Sequence, residues 1–230
     1  MEDTLVQARA EETRRRILDA AVDIFGEVGY GDAVLSDVLE RAEVTKGAFY
    51  HHFHTKEALA AALIELADRK IQDAFDQALS SASSPTLENL IRAAFISTDI
   101  AETDRRVRIG NALRQALSQI SPKAASTYLA RRNDIFAAVT RSVADGDVRD
   151  DIDVDAAVHG IYAGLLGTRT LCDASGDDVF LRTGQLLSVM LAAIVPASKL
   201  PYFQEFLSRT MRQYTAAGVD GADLVEAIVP

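Results

Sequence analysis

The chain has no tryptophan, one cysteine and only 5 prolines among its 230 residues. A single thiol, Cys172, can build neither an internal disulfide nor a multi-cysteine zinc site; it suits a reducing compartment and reads as a small buried apolar residue. The scarcity of proline argues against extended disorder. No run reaches 18 uncharged apolar residues, and the opening "MEDTLVQARAEETRRR" lacks the apolar stretch of a secretory signal. The expected location is therefore the cytoplasm, with no membrane partner. The sequence also lacks a nucleophile elbow, a phosphate-cradling glycine loop, a zinc motif and a dinucleotide fingerprint, so an enzyme reading has no supporting motif and no cofactor is expected. Positive charge is in short supply. Lys and Arg number 24 against 34 Asp and Glu, a net charge of −10, and residues 1–70 alone hold 9 basic against 14 acidic side chains. Any phosphate-binding surface must be a local arrangement of positive groups.

What is present is helical periodicity almost throughout. From Thr13 to Val28 the residues Ile17, Leu18, Ala21, Val22, Ile24, Phe25 and Val28 recur at three- and four-residue spacing, with Thr13 as the expected N-cap and Gly29 as terminator. Ser36 is the expected cap of a short helix through Arg41, Thr45 of another ending near Phe53, and Thr55 of a long one from Lys56 towards Leu79. "SSASSP", residues 80–85, breaks the composition. Pro85 and Pro122 are expected at first helical positions, and Asp153 as the cap of a helix from Val154 to about Leu171. Two further helices follow, from about Asp178 to Val195 and from Lys199 to Tyr214. The predicted fold is all-α: a helix-turn-helix domain over 1–54, a connecting helix over 55–79, and a larger helical bundle over 80–230.

Two short helices joined by a three- to four-residue turn and backed by a longer one describe a helix-turn-helix. "LSDVLERAEV" supplies the positioning helix and "TKGAFYHHF" the recognition helix. Val38, Leu39, Ala42, Val44, Phe49 and Phe53 are expected to face inward, leaving Lys46, Gly47, Tyr50 and His51 outward. Lys46, in the first turn, suits guanine O6 and N7; Gly47 lets a backbone come close; Tyr50, His51 and Lys56 suit phosphate oxygens. Arg14-Arg15-Arg16 divides between a solvated helix face and phosphate or minor-groove contact, with Arg14 as the candidate. Adjacent His51 and His52 point about 100° apart, so with His54 they make a poor metal site. His159, among apolar neighbours, reads as a satisfied core histidine.

At these residues a resemblance becomes specific. "RRRILDAAVDIFGEVGYGDAVLSDVLERAEVTKGAFYHHFHTKEAL" resembles the DNA-binding domain of the TetR family of bacterial transcriptional repressors, and the pattern T-K-G-x-x-Y-x-H-F-x-x-K-E-x-L matches without a gap. The resemblance implies an all-helical homodimer that binds a palindromic double-stranded DNA operator and carries a small-molecule pocket in its larger domain. By motif position it assigns DNA-facing roles to Lys46, Tyr50, His51, His52 and Lys56, and phosphate contacts to Ser36 and Thr45. "DVRDDIDVDAAVHGIYAGLLGTR" with "LLSVMLAAIVP" is similar to the γ-butyrolactone autoregulator receptors, although the tryptophan those receptors usually carry in the pocket wall is absent here.

The C-terminal region offers polar and aromatic residues interleaved with apolar ones, as a pocket between helices requires: Asn111, Arg114, Gln115, Tyr128, Arg132, Phe136, Tyr162 and Thr168. Leu186, Leu187, Met190, Leu191 and Ile194, followed by Phe203, Phe206, Leu207 and Met211, exceed what one bundle face needs, and dimer packing is their expected use. A constitutive DNA-binding regulator without an effector differs only in whether this domain holds a pocket.

Overall fold

In a computed structural model of the chain, residues 2–80, 84–117 and 122–215 are described. Among them the fold is ten helices without a strand. They are α1 (Glu2–Asp32), α2 (Leu35–Arg41), α3 (Lys46–His52), α4 (Lys56–Leu79), α5 (Thr86–Thr103), α6 (Arg105–Leu117), α7 (Pro122–Ala144), α8 (Val154–Ser175), α9 (Val179–Ile194) and α10 (Leu200–Thr215).

The local signals mostly hold. Asp153 caps α8 by accepting from the Ala156 N–H, Gly176 closes it at φ 75°, and Asp178 caps α9 by accepting from Phe180 and Leu181. Thr55 Oγ1 accepts from the Ala58 N–H at 3.0 Å at the start of α4. Two expected caps and one expected first helical position fall elsewhere. Thr13 lies inside α1, where its hydroxyl donates to the Arg9 carbonyl at 2.9 Å, because "QARAEE" contains no helix breaker and the helix continues upstream. Gly29 does interrupt α1, at φ 78° and ψ 164°. Ser36 is not a cap: the residue in that position is Val34, and Ser36 donates to Asp37 at 3.2 Å. Pro85 precedes α5 by one residue, and its carbonyl accepts the helix's first backbone bond, from Asn89.

The chain forms two compact units, one of Met1–Ile71 with Ala101–Thr127, the other of Gln72–Ile100 with Tyr128–Pro230. α6 thus belongs with α1–α3, whereas a boundary drawn in chain order at 80–85 would put it with the later helices. The first unit's core gathers Ile17, Phe25, Val38, Phe49, Leu59 and Leu63, and α6 adds Leu113 and Leu117. The second unit's core is built on Phe95, Val139, Val158, Leu191, Phe203 and Phe206. In it Tyr214 stacks between Phe95 and Phe180, with both ring centroids 5.5 Å away. Burial holds the Tyr214 hydroxyl's pKa above its ordinary value. Cys172 is buried, and burial likewise raises its thiol pKa. His159 departs from the core reading and lies exposed on α8.

Seven of the nine apolar residues singled out on α9 and α10 are spent within the second unit, and Leu186 and Met190 are half-buried. Leu187, Leu191, Ile194, Phe203, Phe206, Leu207 and Met211 are all buried in its own core, so they are not surplus surface. The large apolar side chains left exposed on α8 and α9 are Leu166, Leu171 and Val189.

Candidate nucleic-acid interface

Seven residues cannot hold a helix in water by themselves, so α3 depends on what surrounds it. Thr45 caps it, Oγ1 accepting from the Ala48 N–H at 3.2 Å. Phe49 and Phe53, four residues apart, point into the core at 0% and 4% exposure. Burying a phenylalanine side chain fully contributes about 1.5–3 kcal/mol, enough to fix which face of α3 looks outward.

The turn before α3 is fixed in the same way. Glu43 takes up φ 50°, an uncommon conformation for a residue other than glycine. Its N–H donates to the Glu40 carbonyl and that of Val44 to the Leu39 carbonyl, the paired bonds of a Schellman ending to α2. Arg16 of α1 completes the turn, its guanidinium donating to the Ala42 and Glu43 carbonyls at 2.6 and 3.1 Å and lying 3.3 Å from the Glu43 carboxylate. A cation at a helix C-terminus is favourable, and here it binds the carbonyls that the turn leaves over. Nothing in the triple-arginine pattern sets Arg16 apart from its neighbours.

The outward face of α3 carries Lys46, Gly47, Tyr50 and His51, all exposed as expected. Lys46 Nζ stands 5.9 Å from the Tyr50 ring centroid. The helix sequence KGAFYHH contains no carboxylate, so the face is locally basic on a chain of net charge −10. His52 is half-buried, its ring 5.1 Å from that of His51. Burial lowers its pKa below the ordinary histidine value, and the neighbouring His51 and Arg14 add to the effect. No cluster of three His, Cys, Asp or Glu side chains among the described residues is arranged to hold a metal ion.

Gly47 is the informative position. A Cβ there would meet nothing nearer than Thr45 Oγ1 at 3.9 Å, and its φ is not positive. Neither packing within the chain nor backbone conformation calls for glycine, and helix propensity opposes it. Gly47→Ala is expected to raise stability by about 0.4–1 kcal/mol while weakening duplex binding, because a methyl group then stands where a backbone or base would approach. Thermal melts paired with duplex titrations read both signs; a variant that binds as tightly as the parent would remove close approach as the reason for glycine.

The three arginines of α1 divide. Arg15 pairs with Glu12 at 2.6 Å and with Asp19 at 3.5 Å, Arg16 holds the turn, and Arg14 lies over the Phe53 ring at 5.4 Å, on the α3 side. Lys56 differs from the phosphate-facing expectation. Its ammonium donates to the carbonyls of Tyr30, Gly31 and Ala33 at 2.8, 3.4 and 2.9 Å and sits 4.5 Å from the Tyr30 ring, so its three donors close the end of α1.

The effector-site candidates divide between the units. Asn111 and Gln115 stand on α6, Asn111 accepting from Arg114 at 2.9 Å and Gln115 exposed. Tyr128 and Phe136 stand on α7, Tyr162 and Thr168 on α8. Of these, Tyr128 and Tyr162 come together, ring centroids 6.5 Å apart. Arg114 is buried against Asp68 at 2.5 Å, and Arg132 pairs with Asp155. Arg131, not singled out from the sequence, lies over Phe75 at 4.8 Å with its side chain 14% exposed. No periodicity signal distinguishes it from Arg132.

Comparison with known proteins agrees with this geometry. Residues 17–63 match the family model described as bacterial regulatory proteins, tetR family, and residues 83–196 match the tetracyclin repressor-like C-terminal domain. The A-factor receptor protein of Streptomyces griseus is 52% identical over 59 residues, which cover 26% of this chain and only 21% of that relative. A crystal structure of a gamma-butyrolactone receptor (ArpA-like protein) superposes with a TM-score of 0.74 at 27% identity, covering 90% of this chain and 99% of the other. The TetR family protein CprB from Streptomyces coelicolor, in complex with its biological operator sequence, gives a TM-score of 0.73 at 29% identity, over 89% of this chain and 99% of CprB. No helix among the described residues is long and apolar enough to cross a membrane. With a capped, core-anchored recognition helix in the first unit and family models matching both parts of the sequence, the chain belongs to the TetR family of bacterial transcriptional regulators.

Proposed function

We propose that the chain is a ligand-responsive transcriptional repressor that binds a palindromic operator as a homodimer through α3 and leaves it when a small effector binds. The observation that carries the reading is the outward face of α3, where Lys46, Tyr50 and His51 surround a glycine that nothing inside the chain requires. Lys46 reads a base edge and Tyr50 and His51 grip phosphate, with Arg14 and Thr45 adding contacts beside them. His52, half-buried, supports the face from within. The operator-bound state of CprB supports the same use of this fold. A second copy covers the exposed face of α8 and α9, where Leu166, Leu171 and Val189 lie open among small residues.

The effector is a small apolar molecule bearing a lactone or carboxylate, taken up against Tyr128, Phe136, Tyr162 and Thr168. Support comes from the tyrosine pair and from the receptor named among the structural relatives. Residues 55–79 serve as the connecting helix, since α4 contributes to both compact units. Two α3 helices must enter major grooves about one helical turn apart, so a shift of a few ångströms breaks simultaneous contact. Coupling of about 1–3 kcal/mol, roughly 5- to 150-fold in affinity, is typical and sufficient.

The test is selection of bound duplexes from a random pool, followed by release screening with γ-butyrolactones and other small apolar molecules. The effector is expected to lower operator affinity, and the operator to lower effector affinity by the same factor. Calorimetry on the free and operator-bound dimer measures that factor. Equal effector affinity for the two forms would leave a DNA-binding regulator without release.

A further inference from the structure

Two ion pairs of the first unit share one carboxylate. Asp23 of α1 accepts from the Arg105 guanidinium of α6 through Oδ1, while Oδ2 lies 3.7 Å from the Arg41 guanidinium of α2. Arg41 is held in place by a bidentate bond to Glu27 at 3.0 and 3.1 Å. One turn earlier on α1, Asp19 accepts from Arg106 of α6 at 2.5 Å. Beyond these pairs the helices are also close: a Cβ on Gly26 of α1 would stand 3.2 Å from Ile109 Cδ1 of α6. Two consecutive arginines therefore dock α6 on α1, and the carboxylate that receives the first also faces the positioning helix. None of these groups lies on the outward face of α3.

We propose that Asp23 is a positioning residue for operator binding, sharing its carboxylate between Arg105 and Arg41 so that the seating of α2, and of α3 beyond the Glu43 turn, depends on the attachment of α6. The inference rests on the operator-binding reading of α3. When Arg105 withdraws, Asp23 is free to close on Arg41, and α2 is drawn along α1. When Arg105 is engaged, Asp23 holds Arg41 at the longer distance. α2 and α3 are short and joined by a tight turn, so a small displacement of α2 reaches the base-contacting side chains. Asp23, Arg41 and Arg105 side chains are 33%, 42% and 48% exposed, so each pair is partly screened by solvent and the effect is modest.

The experiment measures affinity for a duplex selected by the wild-type chain, by fluorescence anisotropy, for the full-length wild type, Asp23→Asn, Arg105→Ala and the double variant, with helical content and melting followed by circular dichroism. Each single variant is expected to bind about two- to fivefold more weakly, and the double variant no more weakly than Asp23→Asn. The slope of log affinity against log salt should stay unchanged, since no phosphate contact is removed. A purely structural role would lower the melting temperature and leave affinity alone. The charge-swapped pair Asp23→Lys with Arg105→Glu restores docking of α6 but sets like charges at Arg41, and it should remain weak. Affinities equal to wild type, losses that multiply in the double variant, or full recovery in the swap would each overturn the proposal. If the wild type selects no duplex at all, the operator reading fails first and takes the proposal with it; wild-type binding with unaffected variants overturns the proposal alone.

Discussion

Lys46→Ala is expected to weaken operator binding by about 1–3 kcal/mol and to relax the preference at one guanine. The lysine is exposed, opens α3, and has no partner carboxylate on its own helix. Its ammonium stands 5.9 Å from the Tyr50 ring centroid, a cation–π distance worth about 0.5–1 kcal/mol at an exposed site. A good base-edge contact outweighs that, so the lysine is expected to leave the ring for a duplex. Tyr50→Phe removes one hydroxyl and should weaken all duplexes about equally, because phosphate contacts carry no sequence information. Parallel selection experiments with both variants separate the two roles. A Lys46→Ala chain with unchanged affinity and unchanged preference would show that another side chain reads the base.

Gly110→Ala should destabilise the first unit, the reverse of the outcome expected at Gly47. At Gly110 a Cβ would lie 2.4 Å from Ala67 Cβ and 2.9 Å from the Leu63 carbonyl oxygen, both on α4. Neither neighbour can turn aside: one is a methyl group without rotamers, the other is backbone. α6 must move off α4, and the pairs that flank the crossing, Arg114 with Asp68 at 2.5 Å and Lys70 with Asp104, must stretch. Overpacking of this kind costs about 1–3 kcal/mol and sometimes more, against a gain of about 1 kcal/mol from replacing glycine inside a helix. Each net kcal/mol lowers the melting temperature by about 2–4 °C in a chain of this size. A Gly110→Ala chain that melts at or above the wild-type temperature would mean that α6 and α4 are not in this close register.

These two glycines mark the limit of what a sequence conveys. Both sit inside helical segments and look alike on the page; one is small because a neighbouring helix presses on it, the other with open space around it. The same limit explains the other differences. Lys56 fits a phosphate-facing pattern by motif position, yet its ammonium is taken up by carbonyls 23 to 26 residues earlier in the chain. Phe203, Phe206 and Met211 look like excess apolar surface until α10 is laid into its own core.

The sequence by itself determined the all-helical fold, the caps at Thr45, Thr55 and Asp153, and the division of α3 into an inward Phe49–Phe53 face and an outward Lys46–Tyr50 face. Those properties depend on groups within one or two turns of each other, where helical geometry fixes which side chains meet. Only the tertiary structure decided that α6 joins the first unit, that Arg16 closes the recognition turn, and that Asp23 stands between Arg41 and Arg105. Those contacts join residues up to 87 positions apart, as Asp19 and Arg106 are, and they depend on where helices cross rather than on the pattern along any one of them.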